Sequence, residues 1–351
     1  MDVDYSCITY NVRGLKQKIK RTKIFNYIKE KLKNGFAFMQ ETHSIQDDLV
    51  LWQNEWGGQL LLNHGTSNSK GTLIAFSENF EFKILKNISD DDGRLQLCSI
   101  EHDEKKLLLV NIYNENTERE QIILLKKLNV LLESFSDILE HNIIMGGDWN
   151  FILDKKLDAY GGNPLLKLSS IAEITKIIEQ YDLCDIFRVR FPENKRFSFR
   201  QSTPRRLRRL DFFLISNSLQ ESAKKTEILT SLSSDHSPVL IALDAVPETI
   251  KGSTYWKFNS LLLKNPDFCT KMIEEIERLK IEYVDLDPQT KWEIMKYKIR
   301  CFCMKFSKKI AKEKKRGLKF SNKRLNYTKI VHLLSMLQQS LTLQTKLNLK
   351  L

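Results

Sequence analysis

Two short polar motifs about ninety residues apart carry the chemistry open to this chain. Gly146-Gly147-Asp148-Trp149-Asn150 follows the apolar run Ile143-Ile144-Met145, and Ser234-Asp235-His236-Ser237-Pro238 precedes Val239-Leu240-Ile241. Each sets carboxylate, amide or imidazole at the end of a strand whose text reads as buried, where open sheets place ligands. Thr9-Tyr10-Asn11 and Met39-Gln40-Glu41-Thr42 repeat the pattern upstream. A metal ligand, a proton acceptor and donors to a charged oxygen are what metal-assisted phosphodiester hydrolysis requires.

Asp148 and Asn150 flank a tryptophan, and on an extended chain they face one side. Asn150 then donates to a non-bridging phosphate oxygen, and Asp148 serves the water or the leaving group. An Asx turn after a strand would use the same letters. His236 beside Asp235 is suited to act as general base toward water. Its ring needs a third group to fix the tautomer. Asp211, a carboxylate inside the apolar strand Arg209-Leu210-Asp211-Phe212-Phe213, needs a partner too. An imidazole N–H would pair it, as would a nearby arginine. Glu41 ends the run Phe36-Ala37-Phe38-Met39 as a lone carboxylate, the kind of ligand that suits Mg²⁺ with its retained waters. Asn11 and Tyr113 carry least on their own, since either could satisfy neighbouring backbone. Arg200, Arg205, Arg206, Arg208 and Arg209 lie between two strand candidates, and a hairpin loop there would grip nucleic-acid phosphates.

Alternating short strands and amphipathic helices must position these groups. Strands are expected at Ser6–Thr9, Ala37–Met39, Leu73–Phe76, Leu95–Ile100, Leu107–Ile112, Ile143–Met145, Leu210–Ile215 and Val239–Leu243. Helical spacing links Ile24, Ile28 and Leu32; Leu124, Leu128, Leu131 and Phe135; and Ile171, Ile174 and Ile178. Strands that follow one another between 72 and 112 without a helix argue for mixed sheets with helices outside them. Near Val246-Pro247-Glu248 the strand pattern stops. Residues 1–245 form one expected domain, and 246–351 a basic helical extension with stripes at Trp292, Met295, Ile299, Phe302, Phe306, Ile310 and at Ile330, Leu334, Leu337, Leu341.

The formal charge of +12 is unevenly spread: residues 1–245 hold 33 Lys+Arg against 34 Asp+Glu, and 246–351 hold 23 against 10. The basic region suits a phosphate backbone, DNA or RNA; a solvated helix face is the commoner case. The six cysteines are scattered without zinc spacing, no leader-like start is visible, and no run reaches membrane-span length. A reducing intracellular setting, nuclear or cytoplasmic rather than secreted and with no membrane, is expected. Lys308-Lys309…Lys314-Lys315-Arg316 reads as an import signal or a basic helix face. Nothing indicates an oligomeric state.

The ordered set Tyr10-Asn11-Val12-Arg13-Gly14-Leu15, Met39-Gln40-Glu41-Thr42-His43, Asn111-Ile112-Tyr113, Gly147-Asp148-Trp149-Asn150, Phe197-Ser198-Phe199, Arg209-Leu210-Asp211-Phe212-Phe213 and Ser234-Asp235-His236-Ser237-Pro238 resembles the endonuclease/exonuclease/phosphatase superfamily. Within it, the set is most similar to the apurinic-type endonuclease domain of LINE non-LTR retrotransposons. Tyr255-Trp256-Lys257-Phe258-Asn259 resembles text that follows the nuclease in such elements.

The resemblance covers about residues 4–243 and implies an α+β fold, a four-layer αββα sandwich of two mixed sheets. Carried over, Glu41 holds Mg²⁺ (Mn²⁺ as substitute) with Asn11 and Asp235 close by. His236, oriented by Asp211, handles the attacking water. Asn150 and Tyr113 support the scissile phosphate, Asp148 serves nucleophile or leaving group, and Ser198 sits near the DNA backbone. The implied product is a nick with a 3′-hydroxyl. Arg13 stands where repair-type enzymes carry an acid, which makes an abasic-site repair endonuclease the less fitting alternative. No Tyr/Phe-x-Asp-Asp polymerase motif is present, so the resemblance implies a piece of such an element or a truncated copy. A catalytically silent nucleic-acid-binding remnant is the rival expectation.

Overall fold

The computed structural model describes residues 5–244 and 260–315 except residue 286. The chain divides into two compact units, Met1–Ile250 and Lys251–Leu351. In the first, chain order runs β1 (Tyr5–Asn11), α1 (Lys18–Leu32), β2 (Gly35–Gln40), α2 (Asp48–Trp56), β3 (Leu60–Asn63), β4 (Thr72–Phe76), β5 (Lys83–Ser89), β6 (Leu95–His102), β7 (Lys105–Tyr113), α3 (Glu118–Glu133) and β8 (Asn142–Asp148). It continues with β9 (Ala159–Tyr160), α4 (Leu168–Gln180), β10 (Leu183–Asp185), α5 (Ile186–Arg190), β11 (Phe199–Gln201), β12 (Arg206–Arg208), β13 (Asp211–Ser216), β14 (Ala223–Ile228) and β15 (Val239–Leu243).

Two six-stranded sheets result, ordered β14-β15-β1-β2-β4-β3 and β10-β13-β8-β7-β6-β5. Each is mixed, with β1–β2 and β7–β8 parallel and the other pairings antiparallel. Their facing sides bury Phe36, Phe38, Phe76, Ile144 and Phe213 as one core. The outer face of the first sheet packs Ile8, Met39 and Leu73 against Ile24, Ile28, Trp52 and Trp56 of α1 and α2. The second packs Leu108, Val110 and Met145 against Leu124, Leu128, Ile174 and Ile177 of α3 and α4. This is a four-layer αββα sandwich, and the helical stripes predicted from periodicity are its outer layers.

Local chemistry starts and closes these elements. Thr117 caps α3, its Oγ1 accepting from Glu120 N (3.4 Å) and donating to Glu120 Oε2 (2.7 Å). Gly146 and Gly147 lie inside β8 rather than in a turn. A Cβ on Gly146 would meet the Phe213 ring at 2.4 Å, and one on Gly147 would meet the Ile112 carbonyl at 1.8 Å. They let β7 and the facing aromatic close on β8 just before Asp148.

The second unit holds α6 (Pro266–Glu282) and α7 (Pro288–Lys315). Asn265 caps α6, accepting from Phe268 N at 3.1 Å, with Pro266 in its first turn. Phe268, Met272, Ile276 and Leu279 pack on Met295, Cys303 and Phe306. The second stripe (330–341), Arg316, the text at 255–259 and the expected boundary near 246–248 lie outside the described residues. No described helix is long and apolar enough to cross a membrane.

Candidate active site

Strand register assembles the site. Asp148 ends β8, and its neighbours across the second sheet are Tyr113 on β7 and Asp211 on β13. On the first sheet Asn11 pairs with Gln40 where β1 and β2 end, so Glu41 is the next residue out. The loop after β14 brings Ser234–His236 back before β15. A buried polar bridge ties the two sheets under this edge: Gln40 Nε2 donates to Asn111 Oδ1 (2.8 Å), and Asn111 Nδ2 donates to the Leu73 (3.0 Å) and Met39 (3.2 Å) carbonyls.

The His236 ring donates from Nδ1 to Asp211 Oδ2 at 2.8 Å, and its Nε2 lies 3.8 Å from Asp148 Oδ2. All three residues are buried. Asn11 Nδ2 donates to Asp148 Oδ2 and to Glu41 Oε1, each at 3.0 Å. Tyr113 OH donates to the same Glu41 oxygen at 2.8 Å. Six predicted residues therefore form one continuous set: Asp211, His236, Asp148, Asn11, Glu41 and Tyr113. Ser234 fixes the loop, donating from Oγ to the Asn11 carbonyl (2.8 Å) and accepting from His236 N (3.1 Å).

Burial sets the proton balance. It pushes the Asp148 carboxyl up to about 7 against the pull of His236. Burial favours a neutral His236 ring, but Asp211 and Asp148 more than offset it and raise that group to about 10. For Tyr113, burial together with the charge and hydrogen bond of Glu41 holds the hydroxyl protonated, well above its ordinary value.

The remaining predicted residues sit elsewhere. Asn150 does not continue the strand: its φ is +52°, its N–H donates to Asp148 Oδ1 (3.0 Å) and its Nδ2 to the Asn114 carbonyl (2.9 Å). Alternation about Trp149 fails because the chain turns left-handed there. Asp235 pairs with Arg13 at 3.0 Å near the rim. Ser198 is fully buried; its Oγ accepts from Leu210 N (3.0 Å) and Asp211 N (2.9 Å), so it braces the start of β13. Arg209, expected on the nucleic-acid surface, is 1 % exposed and ion-paired with Asp158 and Asp185, each at 2.7 Å. An arginine at that position is a buried strut. Arg208 spends its guanidinium on the Tyr160, Leu207 and Gly161 carbonyls. Only Arg200, Arg205 and Arg206 of the five arginines are exposed on the β11–β12 hairpin. Arg200 Nη1 donates to Ser237 Oγ at 2.7 Å.

Two contributors escaped sequence reading. Arg94 and Asn114 hold Tyr113 and Asn150 in place, and neither stands in a motif; only the Asp92-Gly93 turn pointed toward the first.

The donor set fits a hard divalent cation. Glu41 Oε2 accepts no hydrogen bond among the described residues and faces His43 Nε2 at 3.9 Å, while Asp211 Oδ1 is buried without a partner. Asp148, Asp211 and His236 also offer ligand atoms within 4.8 Å of one another. The His236 Nδ1–Asp211 Oδ2 bond leaves Nε2 and Asp211 Oδ1 on that side, so this trio and Glu41 are two candidate holders.

Residues 8–236 match the endonuclease/exonuclease/phosphatase family. The chain belongs to that family. Its members are metal-dependent phosphodiesterases, and the buried Asp148, Asp211 and His236 are consistent with an active site of that kind. A transposon protein of Xenopus laevis, the TX1 uncharacterized 149 kDa protein, is 25 % identical over 314 residues, covering 87 % of this chain and 23 % of that protein. The chain thus spans less than a quarter of that relative. The fold also matches an AP endonuclease from Archaeoglobus fulgidus (TM-score 0.56, 17 % identity, 68 % of this chain and 99 % of that one). It matches the AP endonuclease LMAP of Leishmania major (TM-score 0.54, 19 % identity, 69 % and 88 %). A third match is the 3′ phosphatase NExo from Neisseria bound to product DNA hairpin (TM-score 0.55, 15 % identity, 69 % and 100 %).

Proposed function

We propose that this chain is a Mg²⁺-dependent DNA-nicking endonuclease of the retrotransposon type, leaving a 3′-hydroxyl. The observation that carries the reading is the meeting, at one sheet edge, of two hydrogen-bonded groups, Asp211–His236 and Asp148–Asn11–Glu41–Tyr113, across a 3.8 Å approach of His236 Nε2 to Asp148 Oδ2. Its retrotransposon character is supported by the transposon protein it resembles over 87 % of its length.

In this reading a water oxygen bonds to phosphorus and the P–O3′ bond breaks. Asp148, whose carboxyl is lifted to about 7, takes the water's proton at neutral pH. His236, held as an imidazolium by Asp211, sets positive charge and an Nε2–H toward the phosphoryl group, and the departing O3′ takes a proton from solvent to become the hydroxyl. Asn150 keeps its second amide N–H for a phosphate oxygen. Glu41, aligned by Asn11 and Tyr113, would hold Mg²⁺ or Mn²⁺ with Asp235 at the rim. A bound cation would supply Lewis-acid stabilisation of the charge on the phosphate. Arg200, Arg205 and Arg206 offer the hairpin's contact to DNA phosphates, and the basic second unit offers a further DNA or RNA surface.

Conversion of supercoiled plasmid to open circle in Mg²⁺, with EDTA and with His236→Ala, tests the reading. Metal-dependent nicking that the variant loses supports it. A folded wild type that shifts DNA but never nicks it would leave a binding remnant instead.

A further inference from the structure

A cleft of about 610 Å³ opens on the flank of the first unit, between β14 and the stretch that runs from α5 toward β11. Four cations line it, Arg190, Arg196, Lys224 and Lys225, against one acid, Glu227, and Phe191 adds an aromatic ring that is 41 % exposed. None of these residues belongs to the active site. The chain nonetheless links the two. Arg196 lies two residues before Ser198, which braces Asp211, and β14 runs on into the loop that carries His236.

β14 is an edge strand, and its register shifts between Ala223 and Lys225, so Lys224 bulges and both lysines are exposed. Lysines and bulges guard edge strands against pairing with other chains. That need does not account for Arg196 and an exposed phenyl ring lining the same cleft. Nor is this wall a loose loop. Arg188 Nη1 donates to the carbonyls of Asn194 (2.6 Å) and Phe191 (3.3 Å), and its Nη2 pairs with Asp158, the carboxylate that also holds Arg209. Arg190 Nη2 donates to the Gln220 carbonyl (3.2 Å) and to the Ala223 carbonyl, tying α5 to the start of β14. One buried ion network thus braces both the cleft and the strand that carries Asp211. Lys225 is paired with Glu227, whereas the side chains of Arg196 and Lys224 make no hydrogen bond or ion pair among the described residues.

We propose that this cleft takes the phosphodiester backbone of a single nucleic-acid strand, with Arg196 and Lys224 on phosphates and Phe191 stacking a base. Cations interleaved with an exposed ring are the chemistry of single-strand tracks. The inference rests on the nuclease reading above.

The test is anisotropy binding of two DNA probes, a blunt duplex and the same duplex with a single-stranded tail, over a salt series with plasmid nicking assayed in parallel. Wild type should favour the tailed probe. Arg196→Ala/Lys224→Ala should weaken the tailed probe roughly 10-fold and lower its log–log salt slope by about 1.4, two phosphate contacts at about 0.7 each. Phe191→Ala should cost at least about 5-fold on the tail alone. Lys224→Glu, checked for an unchanged circular dichroism spectrum, should cost more than the neutral change. Wild type that nicks plasmid while all variants bind the tailed probe as it does overturns the cleft's role and leaves the nuclease reading standing. Wild type that neither nicks nor binds DNA overturns both.

Discussion

One 2.8 Å hydrogen bond, from His236 Nδ1–H to Asp211 Oδ2, decides which imidazole nitrogen faces the reaction. With Nδ1 committed, Nε2 is left toward Asp148 at 3.8 Å. Asp211→Asn removes the charge that holds the ring in this state. Nicking at saturating DNA should fall by about 10²–10⁴-fold with DNA affinity little changed. Because the two groups act as a unit, Asp211→Asn/His236→Ala should be no slower than His236→Ala alone. Losses that multiply in the double variant would show two independent roles.

Arg94 is placed to position rather than to react. Its guanidinium lies 4.6 Å from the Tyr113 ring centroid, and Nη1 donates to the Tyr113 and Asn114 carbonyls at 3.2 Å each. Asn114 O in turn receives Asn150 Nδ2. Arg94→Lys keeps the charge but loses the fork. We expect a roughly 10-fold lower kcat, equivalent to about 1.4 kcal/mol in the barrier. The loss should shrink in a Tyr113→Phe background. A full 10-fold loss in that background would place the effect of Arg94 elsewhere.

The strands that the sequence announces are those buried on both faces. β1, β2, β4, β8, β13, β15 and most of β6 and β7 read as apolar runs because two layers cover them. β5 gave no signal, being a solvent-facing edge with Lys83 and Lys86 outward, and the β14 bulge breaks its alternation. In the site, residue type and place along the strand pointed to Asp148, Asp211, His236 and Glu41, whereas Asn11 and Tyr113 took their roles from the family resemblance. The bond from Asn11 to Asp148, which spans 137 residues and joins the two sheets, is a property of packing that no local pattern encodes. Arg209 and Ser198 misled for the same reason. Nothing local tells an arginine on a loop from one turned inward onto two aspartates, or an exposed hydroxyl from one that accepts two backbone N–H groups.

The Arg209 network predicts an acid-sensitive fold. Burial pushes the Asp158 carboxyl up, but Arg209 and Arg188 more than offset it and leave it below its ordinary value. A depressed carboxyl contributes stability above its unfolded value of about 3.9, and that contribution is lost as pH falls through the folded value. Asp158→Asn should cost about 3 kcal/mol at pH 7, since it removes the carboxylate shared by half-buried Arg188 and buried Arg209 and leaves Arg209 with Asp185 alone. It should also flatten the fall in stability below about pH 4. Urea titrations of both proteins at pH 3 to 7 check this, and parallel curves would remove Asp158 from the acid response.

Glu41 is where loss of metal should register. Two donors, Asn11 Nδ2 and Tyr113 OH, share Oε1, which fixes the carboxylate and leaves Oε2 directed outward. EDTA should abolish nicking, and Mg²⁺ or Mn²⁺ should restore it. Glu41→Gln keeps the shape but removes the negative charge and one of the two oxygen donors, so the Mg²⁺ concentration giving half-maximal rate should rise at least about 10-fold. Asn11→Ala, which releases Oε1 and the link to Asp148, should shift the same curve and also lower its plateau. DNA binding in EDTA should be retained by all three proteins, since phosphate contacts from the arginine hairpin do not need the cation. Nicking that persists in EDTA, or a Glu41→Gln curve that overlays the wild type, would move the metal away from Glu41 and leave Asp148, Asp211 and His236 as its remaining holders.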